Sequence, residues 1–143
     1  MKEIPGLHCI LLIDDDEATN YFNQILIKKT NIDVKVQFAT NGQEGLDFLT
    51  CKGKFAANLE FPQPGLIFLD INMPIMNGWE FLDEYVKLPD EQKAKIVLSM
   101  LTTSMNPDDE ERAKTNTNTN GFIRKPITLS IIEGIVEKYF PCN

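Results

Sequence analysis

Four carboxylates and one amine in this chain stand where they could do chemistry together. Asp14, Asp15 and Asp16 are consecutive, Asp70 closes an apolar run, and Lys125 precedes Pro126. Carboxylates gathered at one place raise one another's pKa unless a cation sits among them. Hard oxygen donors at a partly open site favour Mg²⁺, with Mn²⁺ the other candidate, because such ions keep waters that a phosphate oxygen can replace. A carboxylate beside such an ion can attack phosphorus and become an aspartyl phosphate. Phosphoryl transfer needs mainly positioning and cancellation of charge on the equatorial oxygens. The metal on one side and Lys125 on the other would supply most of the catalysis, and the hydroxyl of Thr102 would donate to a third oxygen.

These residues meet only if the chain alternates strand and helix. Cys9-Ile10-Leu11-Leu12-Ile13 is a continuous apolar run ending in acid, as expected of a strand buried on both faces. Ala18, Tyr21, Phe22, Ile25 and Leu26 follow at helical spacing, predicting an inward stripe, with Asp16 as N-cap. Val34, Val36 and Phe38 alternate with polar residues, which places the second strand nearer an edge, and Asn41-Gly42 turns into a short helix carrying Leu46 and Leu49. Residues 52–64 lose periodicity and read as a surface loop. The strand Leu66-Ile67-Phe68-Leu69-Asp70 leads to a helix with Trp79, Leu82, Tyr85 and Val86 inward. A strand at 95–102, a polar helix opened by Asn106-Pro107-Asp108-Asp109, a short strand Phe122-Ile123-Arg124, and a helix carrying Leu129, Ile132, Ile135, Val136 and Tyr139 complete the pattern. Five strands alternating with five helices give an α/β fold, a doubly wound parallel sheet covered on both faces.

Ligands of such sheets bind beyond the carboxyl ends of the strands. The strand ends here are Asp14-Asp15-Asp16, Asp70, Thr102-Thr103-Ser104 and Lys125-Pro126. Asp16 fits a helix cap and is assigned there. Asp14 and Asp15 face Asp70 across adjacent strands, which favours a metal pocket over a mere acidic helix start. Pro126 restrains the backbone beside Lys125, which distinguishes this lysine from an ordinary surface one, and leaves open whether the bond is cis. A β-branched Thr at a strand end can also be purely structural.

Composition narrows the function further. The 143 residues carry 14 Lys+Arg against 21 Asp+Glu, a net charge of −7, with no basic face to meet phosphates, so nucleic-acid binding is disfavoured. Cys9, Cys51 and Cys142 form no CxxC and His8 is the single histidine, so we expect a reduced cytoplasmic chain without structural zinc or a disulfide framework. No apolar run approaches a membrane span and no signal segment opens the chain. The expectation is one domain over residues 1–143, with its core at about 8–140 and no output domain.

The segments ILLIDDDEATN, LIFLDINMPIMNGWEFL, LTTS and FIRKP, in this order and spacing, resemble the response regulator receiver domains of bacterial two-component signalling, specifically the stand-alone chemotaxis type. The resemblance implies strand order 2-1-3-4-5, the flavodoxin-like order. It implies that Asp70 is the phosphoacceptor, loaded by a phosphohistidine on a sensor histidine kinase or histidine phosphotransfer protein. It implies that Asp15 and Asp70 bind Mg²⁺ directly, Asp14 through water, and Asn72 through its main-chain carbonyl. Thr102 and Phe122 would form the switch pair, remodelling the surface around the fourth helix, fifth strand and fifth helix for a downstream target protein; Phe122 also reads as an ordinary core aromatic. The protein would be a monomer or weak dimer, catalysing only its own phosphorylation and dephosphorylation. Residues 52–64 are longer than in compact receivers, the Thr/Asn patch 116–120 replaces the usual turn, Thr103 follows Thr102 where a smaller residue is frequent, and Asn72 and Ser104 occupy places that influence dephosphorylation.

Three other readings compete. A dehalogenase-type phosphatase needs an acid two residues after its nucleophile to protonate the leaving group, and Asn72 cannot do so. A flavodoxin-like carrier needs a hydroxyl- and Gly-rich phosphate loop after the first strand, where three aspartates would repel the cofactor. A receiver-like scaffold that works without phosphorylation has no use for the acid, hydroxyl and lysine set.

Overall fold

The computed structural model describes residues 1–57, 62–73, 76–101 and 107–141. Five strands, β1 (Cys9–Ile13), β2 (Lys35–Ala39), β3 (Leu66–Asp70), β4 (Ile96–Leu101) and β5 (Gly121–Arg124), pair in parallel in the order β2-β1-β3-β4-β5. The helices between and after them are α1 (Glu17–Lys29), α2 (Gly42–Thr50), α3 (Gly78–Tyr85), α4 (Pro107–Thr115) and α5 (Leu129–Tyr139). The predicted alternation and strand order hold, and β2 is an edge strand, as its half-polar pattern requires. Thr102 and Asn106 lie outside the described residues.

Strand geometry divides the core into two layers. Successive side chains point to opposite faces of a sheet. Ile10 and Leu12 of β1 pack with Leu26 and Ile27 of α1 and with Ile132, Ile135 and Val136 of α5. Cys9, Leu11 and Ile13 pack on the other face with Phe48 and Leu49 of α2, Trp79, Phe81, Leu82 and Tyr85 of α3, and Ala113 of α4. The start of the core lies further upstream than residue 8: Ile4 and Leu7 are buried, and Lys2 forms a parallel bridge with Ile32. Gly65 enters β3 so close to the Gly6 carbonyl that a Cβ would collide with it. Among the described residues Cys9 and Cys51 are free thiols, and burial pushes Cys9 up to about 12, which keeps it unreactive.

Two helices present other faces than their apolar spacing predicts. In α1 the buried residues are Asn20, Asn23, Leu26 and Ile27, whereas Tyr21 is 62% and Phe22 52% exposed. Asp16 does cap the helix, accepting from the Ala18 and Thr19 amides. The helix is turned by about one residue because Asn20 points inward and donates from Nδ2 to the Asp14 carbonyl at 2.9 Å. Ile27, rather than Phe22, then completes the inward stripe. In α3, Val86 is the C-cap and is exposed, while Phe81 is fully buried. Phe81 finds room because α2 carries Gly45, where a Cβ would lie 3.1 Å from the Phe81 ring and 2.7 Å from Ile13. The aperiodic stretch contains a short 3-10 turn, Gly53–Phe55, whose Phe55 ring meets Phe48 edge-on at 5.1 Å.

The corrected face of α1 separates two substitutions that hydrophobic spacing treats alike. Phe22→Ser should change the unfolding free energy by no more than about 0.5 kcal/mol, as for an exposed site. Leu26→Ala should cost about 2–5 kcal/mol. Urea denaturation of both variants measures the difference; equal losses would return Phe22 to the core.

Candidate functional site

The site forms where β1 and β3 end side by side. Asp14 and Asp70, 1% and 2% exposed, are carboxylates that the chain has taken out of water. Backbone geometry holds Asp14 firmly: its amide donates to the Ala39 carbonyl at 3.0 Å and its own carbonyl accepts from Asn20. Its Oδ1 accepts the Asp16 amide at 3.0 Å, and its Oδ2 accepts from Lys125 Nζ at 2.8 Å. Asp15 is exposed, and one of its carboxylate oxygens lies within 4.8 Å of an oxygen of Asp14 and of Asp70.

Asp70 is the last residue of β3, and α3 is pressed directly against it. A Cβ on Gly78 would lie 2.7 Å from the Ile71 Cα and 2.8 Å from the Asp70 carbonyl oxygen, so only glycine permits this approach. The Gly78 amide donates to the Ile71 carbonyl at 2.9 Å, and a capping box between Asn77 and Glu80 fixes the helix start. The Asn72 amide donates to Asp70 Oδ1 at 3.3 Å. Lys125 enters from the turn after β5, through a cis Lys125–Pro126 bond, and its Nζ also lies 3.3 Å from Asp70 Oδ1.

Charge dominates this arrangement. Burial pushes the Asp70 carboxyl up to about 7, the Asp14 charge adds to the rise, and Lys125 opposes it. For Lys125, burial favours the neutral amine, but the hydrogen bond to Asp14 and the charges of Asp70 and Asp14 outweigh it and raise the pKa. One oxygen each from Asp14, Asp15 and Asp70 lie within 4.8 Å of one another. That all-oxygen donor set, partly buried and open on the Asp15 side, fits a hard divalent cation whose charge would relieve the crowding that one lysine leaves.

Structure thus brings together Asp14, Asp15, Asp70 and Lys125. Phe122 stands on β5, half-buried against the core layer that contains Trp79, with the Arg124 guanidinium 5.9 Å from its ring centre. Thr102, predicted to complete the site, lies outside the described residues. Sequence reasoning missed Asn20 and the role of Gly78. The signal for Asn20 was its spacing with Asn23 and Ile27, about one residue out of register with the aromatic stripe; for Gly78 the sequence shows a glycine but not the backbone it must clear.

Comparison with known proteins identifies the family and the fold. Residues 10–137 match the family model of the response regulator receiver domain. The chain is 35% identical over 100 residues to the response regulator Rcp1 of Synechocystis sp., a match covering 70% of this chain and 65% of that relative, so less than two thirds of the relative's length. The Mn²⁺-bound crystal structure of Rcp1 superposes with a TM-score of 0.74 at 27% identity, covering 95% of this chain and 96% of that one. The phosphorylated cyanobacterial phytochrome response regulator RcpA superposes with a TM-score of 0.73 at 28% identity, covering 93% and 94%. No helix among the described residues is long and apolar enough to cross a membrane.

The raised Asp70 pKa has a definite sign in stability. Between about pH 4, where an unfolded Asp ionises, and about pH 7, where folded Asp70 does, the native state holds one more proton than the unfolded state. Stability of the metal-free chain therefore falls as pH rises across that window. Asp70→Asn, in chelator, should raise the melting temperature most above pH 7 and hardly at all near pH 4. Thermal melts across this range give the check; a gain independent of pH would contradict the shift.

Proposed function

The chain belongs to the response regulator receiver family, and on that premise we propose that Asp70 accepts a phosphoryl group from a phosphohistidine and so switches a protein-docking surface. Receiver domains take phosphate from histidine kinases and act on downstream targets; they are signalling proteins rather than enzymes in the ordinary sense. The observation that carries the reading is the buried Asp70 carboxylate, 3.3 Å from Lys125 Nζ and with an oxygen within 4.8 Å of oxygens of Asp14 and Asp15. In the transfer, an Asp70 carboxylate oxygen forms the P–O bond as the P–N bond to the donor imidazole breaks. The imidazole leaves with the electron pair and takes up a proton.

Asp15 and Asp70 would hold Mg²⁺, with Asp14 through water and the Asn72 carbonyl as a further ligand; Mn²⁺ is the alternative, and the Rcp1 structure contains it. When bound, the ion cancels charge on the acids and on the incoming phosphoryl oxygens. Lys125 already stands at Asp70 and meets a phosphoryl oxygen without travelling far. Once Asp70 carries the phosphoryl group as an acyl phosphate, the lysine's balance between Asp14 and Asp70 changes, which gives the modification an immediate structural consequence. Thr102 is assigned its hydroxyl role from its place after β4 alone.

The output surface is the region of α4, β5 and α5. Helix α4 buries only Ala113 among its described side chains and is otherwise tied down by charge. Arg112 lies over the Trp79 ring at 4.6 Å, and Glu110 pairs with Arg124, whose guanidinium faces Phe122. Contacts of this kind exchange at small cost, as a switching surface biased by about 1–3 kcal/mol requires.

Incubation with acetyl phosphate and Mg²⁺ should add one phosphoryl mass to the wild-type chain in intact-mass spectrometry. Asp70→Asn should gain none, and chelator should abolish the adduct. No adduct, or an equal adduct in Asp70→Asn, would show that the relay reading is wrong.

A further inference from the structure

We infer that Asn20, on α1 outside the acid cluster, is a positioning residue for the divalent-cation site. The inference rests on the reading of Asp14, Asp15 and Asp70 as that site. Asn20 is 1% exposed on a helix face where neighbouring inward positions include Leu26 and Ile27. An amide in such a place is unfavourable unless its polar atoms are satisfied. Its Nδ2 donates to the Asp14 carbonyl at 2.9 Å, while its Oδ1 has no hydrogen-bond partner among the described residues. Packing alone therefore does not account for an asparagine at this position.

The single hydrogen bond that Asn20 makes falls at a sensitive point. The Asp14 carbonyl lies beyond the β1–β3 register, which ends at Ile13 and Leu69, and it belongs to the peptide that joins Asp14 to Asp15. The Asp14 carboxylate has its own anchors in the Asp16 amide and Lys125. Asp15 is exposed, and the backbone of this turn sets the position and direction from which its side chain starts. Asn20 pins that peptide to the second turn of α1 and thereby fixes the direction from which Asp15 joins Asp14 and Asp70. Groups that orient metal ligands without touching the metal commonly change affinity by about 10–100-fold when removed.

The test uses the intact chain and Mg²⁺ alone. Asn20→Leu fills the space without a donor, and Asn20→Ala provides a second variant should the first fail to fold; circular dichroism confirms which are folded. Isothermal titration should show a Mg²⁺ Kd raised about tenfold relative to wild type, the lower end of that range. Phosphoryl uptake from acetyl phosphate should fall by a similar factor at subsaturating Mg²⁺ and recover to within about twofold at saturating Mg²⁺, since the defect is in ligand placement. A wild-type Kd in the folded variants, or a rate loss that persists at saturating Mg²⁺, would overturn the positioning role while leaving the site reading intact. A wild-type chain that binds no Mg²⁺ would overturn both, and the wild-type titration alone reveals it.

Discussion

Two carboxylates forced out of water at the ends of neighbouring strands are the constraint on which this molecule turns. Asp14 and Asp70 are nearly inaccessible, and the ammonium of Lys125 lies 2.8 Å from one and 3.3 Å from the other. Burial, and after it the Asp14 charge, raises the Asp70 pKa even with a lysine beside it, because one positive charge between two negative ones leaves the cluster short of neutrality. A buried charge that loses its partner costs about 3–5 kcal/mol, so the protein cannot place any one of these groups independently. Everything that positions β1, β3 and the turn after β5 is in effect positioning charge.

The sheet is arranged to bear that load. β1 and β3 are buried along their whole length, so their ends are among the most rigid points of the fold. The turns beyond them are tied down by specific local devices rather than by bulk packing. Asp16 caps α1, Asn20 grips the Asp14 carbonyl, and Gly78 lets α3 rest on the Asp70 carbonyl. Each device occupies the first turn or two of a helix, where donors are free and small displacements are amplified at the strand end.

Much of this was legible in the sequence, and the limits have physical causes. Continuous apolar runs identified β1 and β3, and a strand run ending in Asp is a placement argument that needs no coordinates. The face of α1 differs from the expected one because hydrophobic spacing registers Tyr21 and Phe22 but gives no weight to an inward Asn20, whose hydrogen-bond partner is six residues away, outside the helix in the turn after β1. Phe81 was missed for a related reason: its burial depends on Gly45 in a different helix. The three-dimensional partner decides in both cases, and periodicity within one helix carries no information about it.

The site and helix α4 contrast in how their charges are held, which bears on the proposed switch. At the acid cluster, charges are buried and coupled, so a change in one is felt by the others at low dielectric. At α4 the charges are exposed: the Glu110 and Arg124 side chains are 31% and 48% accessible, and such pairs contribute about 0–1 kcal/mol each. Neutralising or phosphorylating Asp70 would alter interactions of about 3–5 kcal/mol at the pocket, whereas re-seating α4 would require only exchange of weak ones. Phe122 stands on β5 and Lys125 follows that strand directly, three residues later, so the strong cluster and the weak one share a single short piece of backbone. Under the proposed function, that energetic asymmetry would make the pocket the driver and the α4 surface the follower, because a small part of the pocket's interaction energy would suffice to shift the balance at α4.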